Sequence, residues 1–445
     1  MADPPSEREQ TRASTPGAPG RAGAPLGVRF VIGIVLVGLA AAAFAIAFRS
    51  LLTFAFVHGY GRPDVVRAFR ALPSWARVVL PCAGGAAAGV TALAAARFGG
   101  GRGVGDVMEA VASGRARLSM RVTLLKSAGS WLAIVTGGSI GREGPLIQFG
   151  GAAGKLTARL LGIDGARARS LIAAGAAAGF AAAYNTPFAA VLFVSEVVAG
   201  TSRLEVIVPA AIATAVATTL TRAIAGGGPI YGLRAFTLVG NGEHVAHVAL
   251  GLLAALAAQG FMRLLSWGER AFASSGLPQP LRAACGGLVV GVVAVGLPEV
   301  TGNGYESLGL LLDGRFSLAV VAWLLIAKPF ATTASVGSGS PGGVFTPTLL
   351  LGATLGVLFQ AALSGVLGPA AIGPPGAYAL VGMAATTAAT THAPLMAAVL
   401  VFELSADYAV VLPLMLATAA ATLLSRALRS ESIYGAERQR TPEAR

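Results

Sequence analysis

Gly141-Arg142-Glu143-Gly144-Pro145 is answered 202 positions later by Gly343-Val344-Phe345-Thr346-Pro347. The correspondence extends well beyond the two pentapeptides. Gly141, Pro145, Gly150 and Gly154 keep their mutual spacing in Gly343, Pro347, Gly352 and Gly356, and Lys126 and Lys328 share the same offset. Gly84, Gly85 and Gly89 return at 202 as Gly286, Gly287 and Gly291, while Gly101-x-Gly103 returns at 201 as Gly302-x-Gly304. Gly175, Pro187 and Glu196 return at 207 as Gly382, Pro394 and Glu403. Order is preserved with small insertions, so the chain is an internal duplication of the kind transport proteins display. The spacing predicts two halves, residues 26–227 and 244–428, joined by a Gly/Pro-bearing linker over 228–243.

The medium around those halves follows from composition. Hydrophobic residues are 55% of the chain and charged ones 12%, against about 25% charged in a soluble domain, so the surface faces lipid. Apolar stretches recur from Val28 to Leu428. At about 20 residues per crossing they leave room for more than ten crossings or partial crossings, and backbone polarity forces helices throughout. The expected class is an all-α polytopic membrane protein. Its net charge of +13 forms no stripe and no aromatic-interleaved basic patch, so nucleic acid is not the partner. Arg8, Arg12 and Arg21 precede the first apolar run, and Arg426, Arg429, Arg438, Arg440 and Arg445 close or follow the last. The positive-inside rule places both tails, 1–25 and 429–445, in the cytoplasm, the first of them disordered by composition. An even number of crossings follows. Inverted halves are expected, because broken helices aimed at one midplane site are the usual reason for such symmetry. Cys82 and Cys285 lie in apolar surroundings and read as small buried residues.

The chemistry concentrates at two glycine clusters, Gly137-Gly138-x-x-Gly141 and Gly337-x-Gly339-x-x-Gly342-Gly343. Each precedes a proline, Pro145 or Pro347, at the head of an apolar run, the pattern of a helix beginning inside the membrane. Such a start leaves backbone N–H groups unpaired at the positive end of a helix dipole. Two of them converging at mid-depth hold a partly dehydrated anion without a full positive charge, firmly enough for entry and weakly enough for exit. Into the first start the sequence places Glu143, and a carboxylate among apolar residues is a functional hypothesis by default. Pairing with Arg142 is the plain structural alternative. Adjacent residues at a helix start point to different faces, which weakens it.

These segments resemble the CLC family of chloride channels and chloride/proton exchangers. Residues 141–145 match its GREGP motif and 343–347 its GxFxP motif, while Ala182-Ala183-Tyr184-Asn185-Thr186-Pro187 and Thr391-His392-Ala393-Pro394-Leu395 look like further family segments. The resemblance implies two inverted-topology repeats with broken helices meeting at a central anion site. It implies a homodimer with one pathway per chain, in the bacterial inner (cell) membrane. Glu143 is then the gating glutamate. Arg142, Gly144, Val344, Phe345 and Thr346 cradle a chloride or similar anion through their backbone, and Tyr434 supplies an internal hydroxyl. The family's regulatory CBS pair has no counterpart before the chain ends.

Two departures qualify the resemblance. The family's GSGIP motif stands here as Gly101-Arg102-Gly103-Val104-Gly105, so that Arg102, Gly103 and Val104 are anion-site candidates with serine replaced by arginine. Either Arg102 points into the pathway, or it snorkels to water; a permanent pore cation traps anions, which favours the second. Glu196 aligns with the first of two adjacent family glutamates, and Val197 occupies the position of the second, the internal proton-transfer group. Glu196 and Val197 mark a possible proton route, although Glu196 and its repeat partner Glu403 read more simply as structural groups at helix ends. With Val197 there, a passive channel is favoured over a chloride/proton antiporter or a fluoride-selective relative. An intramembrane enzyme or sensor using Glu143 as an acid finds no second catalytic group. No metal or cofactor is called for: His244-x-x-His247 beside Glu243 lacks a third ligand, and no P-loop or nucleophile elbow appears.

Overall fold

The computed structural model describes residues 27–101, 103–114, 118–240 and 242–435. Arg102, the whole N-terminal tail and residues 436–445 of the C-terminal tail lie outside them. The first half comprises α1 (Val28–Tyr60), α2 (Val65–Ala71), α3 (Ser74–Arg97), α4 (Val104–Ser113), α5 (Met120–Val135), α6 (Glu143–Leu160), α7 (Gly165–Tyr184), α8 (Pro187–Phe193, continued by a π turn over Val194–Val198) and α9 (Leu204–Ala225). The second comprises α10 (Glu243–Ala273), α11 (Gln279–Gly296), α12 (Tyr305–Leu312), α13 (Leu318–Gly337), α14 (Phe345–Leu367), α15 (Pro375–Thr391), α16 (Pro394–Ser405) and α17 (Val411–Leu428). Helices α11 to α17 thus repeat α3 to α9 element by element. Among the described residues, eight helical stretches are long and apolar enough to cross a membrane, and α8 and α16 are shorter apolar pieces.

One contact fixes how the halves are related. Gly141 N–H donates to Gly343 C=O at 2.6 Å, and Gly343 N–H donates to Gly141 C=O at 2.8 Å, in an antiparallel bridge. Equivalent segments running in opposite directions mean a local two-fold axis between the halves, the relation that inverted repeats require. Local chemistry repeats across that axis. Helices α7 and α15 end on left-handed residues, Asn185 and His392, each with φ 58°, and the next helix starts two residues later on Pro187 or Pro394. Lys126 Nζ donates to the Gly101 carbonyl. Its counterpart Lys328, fully buried, donates to Val300 and Gly302 carbonyls at 2.9 and 2.8 Å. The two lysines therefore pin the glycine loops that launch α4 and α12.

Helices α7 and α15 are buried along almost their whole length, as expected of helices apolar all round. They sit there because glycine lets backbones touch. A methyl group on Gly150 of α6 would lie 1.9 Å from the Gly175 carbonyl oxygen of α7, and one on Gly352 of α14 would lie 2.2 Å from that of Gly382 on α15. Small-residue packing of this kind replaces the hydrophobic effect inside lipid. The cysteines differ from expectation: Cys82 is half-buried and Cys285 exposed. An apolar sequence context in a membrane chain includes the outward, lipid-facing surface, so it does not by itself imply burial.

Candidate functional site

Helices α6 and α14 both begin deep in the protein. Gly137 and Gly339, 202 positions apart, take φ values of 90° and 91°, a conformation that glycine adopts freely and other residues rarely do. Those turns aim the α6 and α14 N-termini at one another around the Gly141–Gly343 bridge. Glu143 opens α6 and is 1% exposed. Its Oε1 accepts the hydroxyl of Thr346 from the first turn of α14. Thr346 Oγ1 lies 2.8 Å from the Tyr184 hydroxyl at the end of α7. Since the carboxylate only accepts, the order is Tyr184 O–H to Thr346 O–H to Glu143. Glu143 Oε2 is buried without a hydrogen-bond partner.

Two chambers flank this carboxylate. One, of about 390 Å³, is lined by Arg49, Arg142, Asn303, Tyr305 and Glu306 together with the inter-half glycines Gly226 to Gly228. The other, of about 480 Å³, is lined by Gly103, Val104, Gly144, Val344, Phe345 and Tyr434. Glu143 and Thr346 line neither and stand between them in sequence, with Arg142 on one side and Gly144 on the other. The candidate anion residues are thereby brought together, Arg142 in the first chamber and six in the second, with Arg102 outside the described residues. Arg142 and Glu143 form no ion pair among the described residues. The guanidinium instead stacks 4.8 Å over the Tyr305 ring.

Glu196 and Val197 sit elsewhere, in the π turn after α8. The Glu196 carboxylate accepts the first-turn N–H groups of α16, Met396 at 2.8 Å and Leu395 at 3.4 Å. Glu403 at the end of α16 does the same for α8, accepting from Ala189 at 2.8 Å and Phe188 at 3.1 Å. Each half thus caps a helix of the other. Glu196 and Val197 line a separate cavity with His392, Arg426 and Glu431. His247 is fully buried against Tyr378, with ring centroids 4.8 Å apart. Among the described residues no group of three or more metal-ligating side chains forms. Sequence reading did not single out the Tyr184 hydroxyl that reaches Thr346, or Glu306, which lines the first chamber. Glu306 carried a legible signal, an acid two residues beyond Gly302-x-Gly304 in an apolar half.

Residues 84–426 match the family model described as voltage gated chloride channel. The chain belongs to the CLC family. The ClcB-like protein of Ralstonia nicotianae is 40% identical over 404 residues, covering 90% of this chain and 94% of that one. The voltage-gated ClC-type chloride channel ClcB of Escherichia coli is 34% identical over 374 residues, 83% of this chain and 89% of its own. Among solved structures, a slow cyanobacterial Cl⁻/H⁺ antiporter matches with a TM-score of 0.84 and 26% identity, covering 93% of this chain and 98% of that one. A CLC-type fluoride/proton antiporter matches with a TM-score of 0.71 and 21% identity, covering 92% and 96%, a likeness of fold. The chain is therefore a CLC-family anion transport protein.

Proposed function

We propose that the chain conducts chloride between the two chambers, with Glu143 as the gate. The observation that carries this reading is the place of Glu143: its buried carboxylate opens α6 between Arg142, which lines one chamber, and Gly144, which lines the other, and it meets Thr346 at the start of α14. Free N–H groups there attract an anion, and the carboxylate is a tethered anion that occupies the place instead. Protonation removes its charge, chloride competes with it, and either event frees the passage. Gly103, Val104, Gly144, Val344, Phe345 and Tyr434 form the route on the other side, with Arg102 as a steering charge beside it.

A passive channel is the reading we favour. Val197 offers no proton, and the Glu196 carboxylate is engaged in capping α16. Chloride/proton exchange is the second reading, favoured by similarity to the cyanobacterial antiporter, and it assigns Glu196 and the cavity beside it to the internal proton route. The functional unit is a pair of chains, each with its own pathway and with both tails cytoplasmic. Reversal potential in reconstituted bilayers, measured in a proton gradient at fixed chloride, tests the choice. A potential unmoved by pH supports the channel; a shift establishes coupling. Radiotracer chloride uptake into proteoliposomes tests conduction itself, and absence of uptake in both the wild type and Glu143→Gln refutes it.

A further inference from the structure

The start of α12 is the repeat counterpart of the start of α4. At the offset of 201, Gly103 corresponds to Gly304, Val104 to Tyr305 and Gly105 to Glu306. Gly103 and Val104 line the Tyr434 chamber, whereas Tyr305 and Glu306 line the Arg142 chamber. The two-fold axis therefore gives each chamber one such loop, and in the Arg142 chamber that loop carries a carboxylate. Glu306 Oε2 is buried and has no hydrogen-bond partner among the described residues. No ion pair joins Glu306 to Arg142 among the described residues, although both line the same cavity.

The structure assigns to Glu306 the role of a second acid of the pathway, whose charge decides how strongly the Arg142 chamber attracts an anion. Ionised, Glu306 offsets the Arg142 guanidinium and repels an incoming anion. Protonated, it leaves that guanidinium to the anion, which then competes with Glu143. The charged and titratable groups facing it are Arg142 before α6, Asp64 before α2, Lys328 on α13, Arg49 on α1, and Tyr305 beside it. Tyr231 of the linker, which interacts with Glu306, completes the set. Helix α14, packed on α12, contains no acidic or basic residue, and α15 contributes only Tyr378 as a titratable group. Glu143 and Glu306 both interact with Arg142 and Lys328.

This inference rests on Glu143 being the gate, and the test separates the two. Chloride binding is measured calorimetrically on the full-length protein in detergent, between about pH 4.5 and 7.5. The variants are Glu143→Gln and Glu143→Gln/Glu306→Gln, with Glu306→Ala as a second neutral replacement and Glu306→Asp to restore the charge. In Glu143→Gln, binding is expected to strengthen roughly tenfold towards acid, the size of one charge removed beyond contact distance at an effective dielectric of about 20. The double variants are expected to bind at the higher affinity throughout, with a flat profile, and the aspartate variant to regain the slope. An equal slope with and without Glu306, or a flat profile in Glu143→Gln alone, overturns the role of Glu306 and leaves the gate standing. Absence of chloride binding in every variant at every pH overturns the gate as well.

Discussion

Thr346→Val removes one hydroxyl from the centre of the pathway and keeps the shape of the side chain. In the structure that hydroxyl is fully buried and donates to the Glu143 carboxylate, while Tyr184 donates to it at 2.8 Å. A hydrogen bond to a charged group contributes about 1.5–3 kcal/mol. Tyr184 loses its acceptor whether the gate is in or out, so that loss cancels between the two states, and the Glu143 bond is lost only from the closed one. At 1.4 kcal/mol per factor of ten, the closed position weakens about 10- to 100-fold. Chloride and the carboxylate compete for the same place, so apparent chloride affinity at neutral pH is expected to rise by up to that factor. Calorimetric titration of the detergent-solubilised protein reads it directly, with Thr346→Ser as the variant that keeps wild-type behaviour. Combined with Glu143→Gln, the valine is expected to add little, since residues sharing one interaction are not additive. An unchanged affinity in Thr346→Val, or the same gain with Glu143 already neutral, refutes the competition.

Glu143→Gln is expected to conduct with the gate's share of the pH dependence gone, because an amide neither takes up a proton nor competes as a charge, which leaves the roughly tenfold dependence assigned to Glu306; flux retaining the wild-type pH profile returns Glu143 to a structural role. Tyr434→Phe is expected to change chloride affinity modestly, by the 0.5–1.5 kcal/mol or so of one neutral hydrogen bond, and Tyr434→Ala to do more by widening the chamber; wild-type binding in both removes Tyr434 from the route. Glu403→Gln weakens two charge-assisted bonds to the start of α8 and is expected to lower thermal stability while leaving the pH profile of flux in place, which thermal unfolding and uptake assays check together. Arg102→Ser is expected to reduce uptake at low salt and match the wild type at high salt, because exposed charges are screened within about 8 Å at physiological ionic strength; a salt-independent change in affinity places Arg102 in the pore.

What the sequence revealed here was written in backbone requirements. Gly141, Gly343, Pro145 and Pro347 are needed wherever a helix starts inside the membrane, and their repetition at a fixed offset announced the two halves and the meeting of α6 with α14. The same logic reached Glu143, because an acid among apolar residues at a helix start is costly unless it is used. The readings that failed or fell short depended on what lies across the fold. Helices apolar on every side do not announce which face meets lipid, so Cys285 was expected to be buried and is exposed. Glu196 and Glu403 read as groups at helix ends. That each caps a helix about two hundred residues away required the two-fold axis to be in place.

That axis also explains why the site is asymmetric in chemistry while symmetric in backbone. Glu143 and its counterpart Phe345 occupy equivalent helix starts, yet one carries the gate and the other lines the Tyr434 chamber. Gly105 and Glu306 occupy equivalent positions of α4 and α12, and again one half is given an acid. Both of these acids fall on the Arg142 side of the anion place or at it, while α4 carries Asp106 in its first turn and the Tyr434 chamber is lined by Lys126 and Glu269. An anion entering from the Arg142 chamber therefore meets Glu306 before it meets the helix N-termini at Glu143. Acid applied to the Arg142 chamber alone is accordingly expected to increase flux more than the same acid applied to the other. Single-orientation bilayer recordings with pH changed on one side at a time measure this, and equal responses from the two sides contradict the placement of the gate.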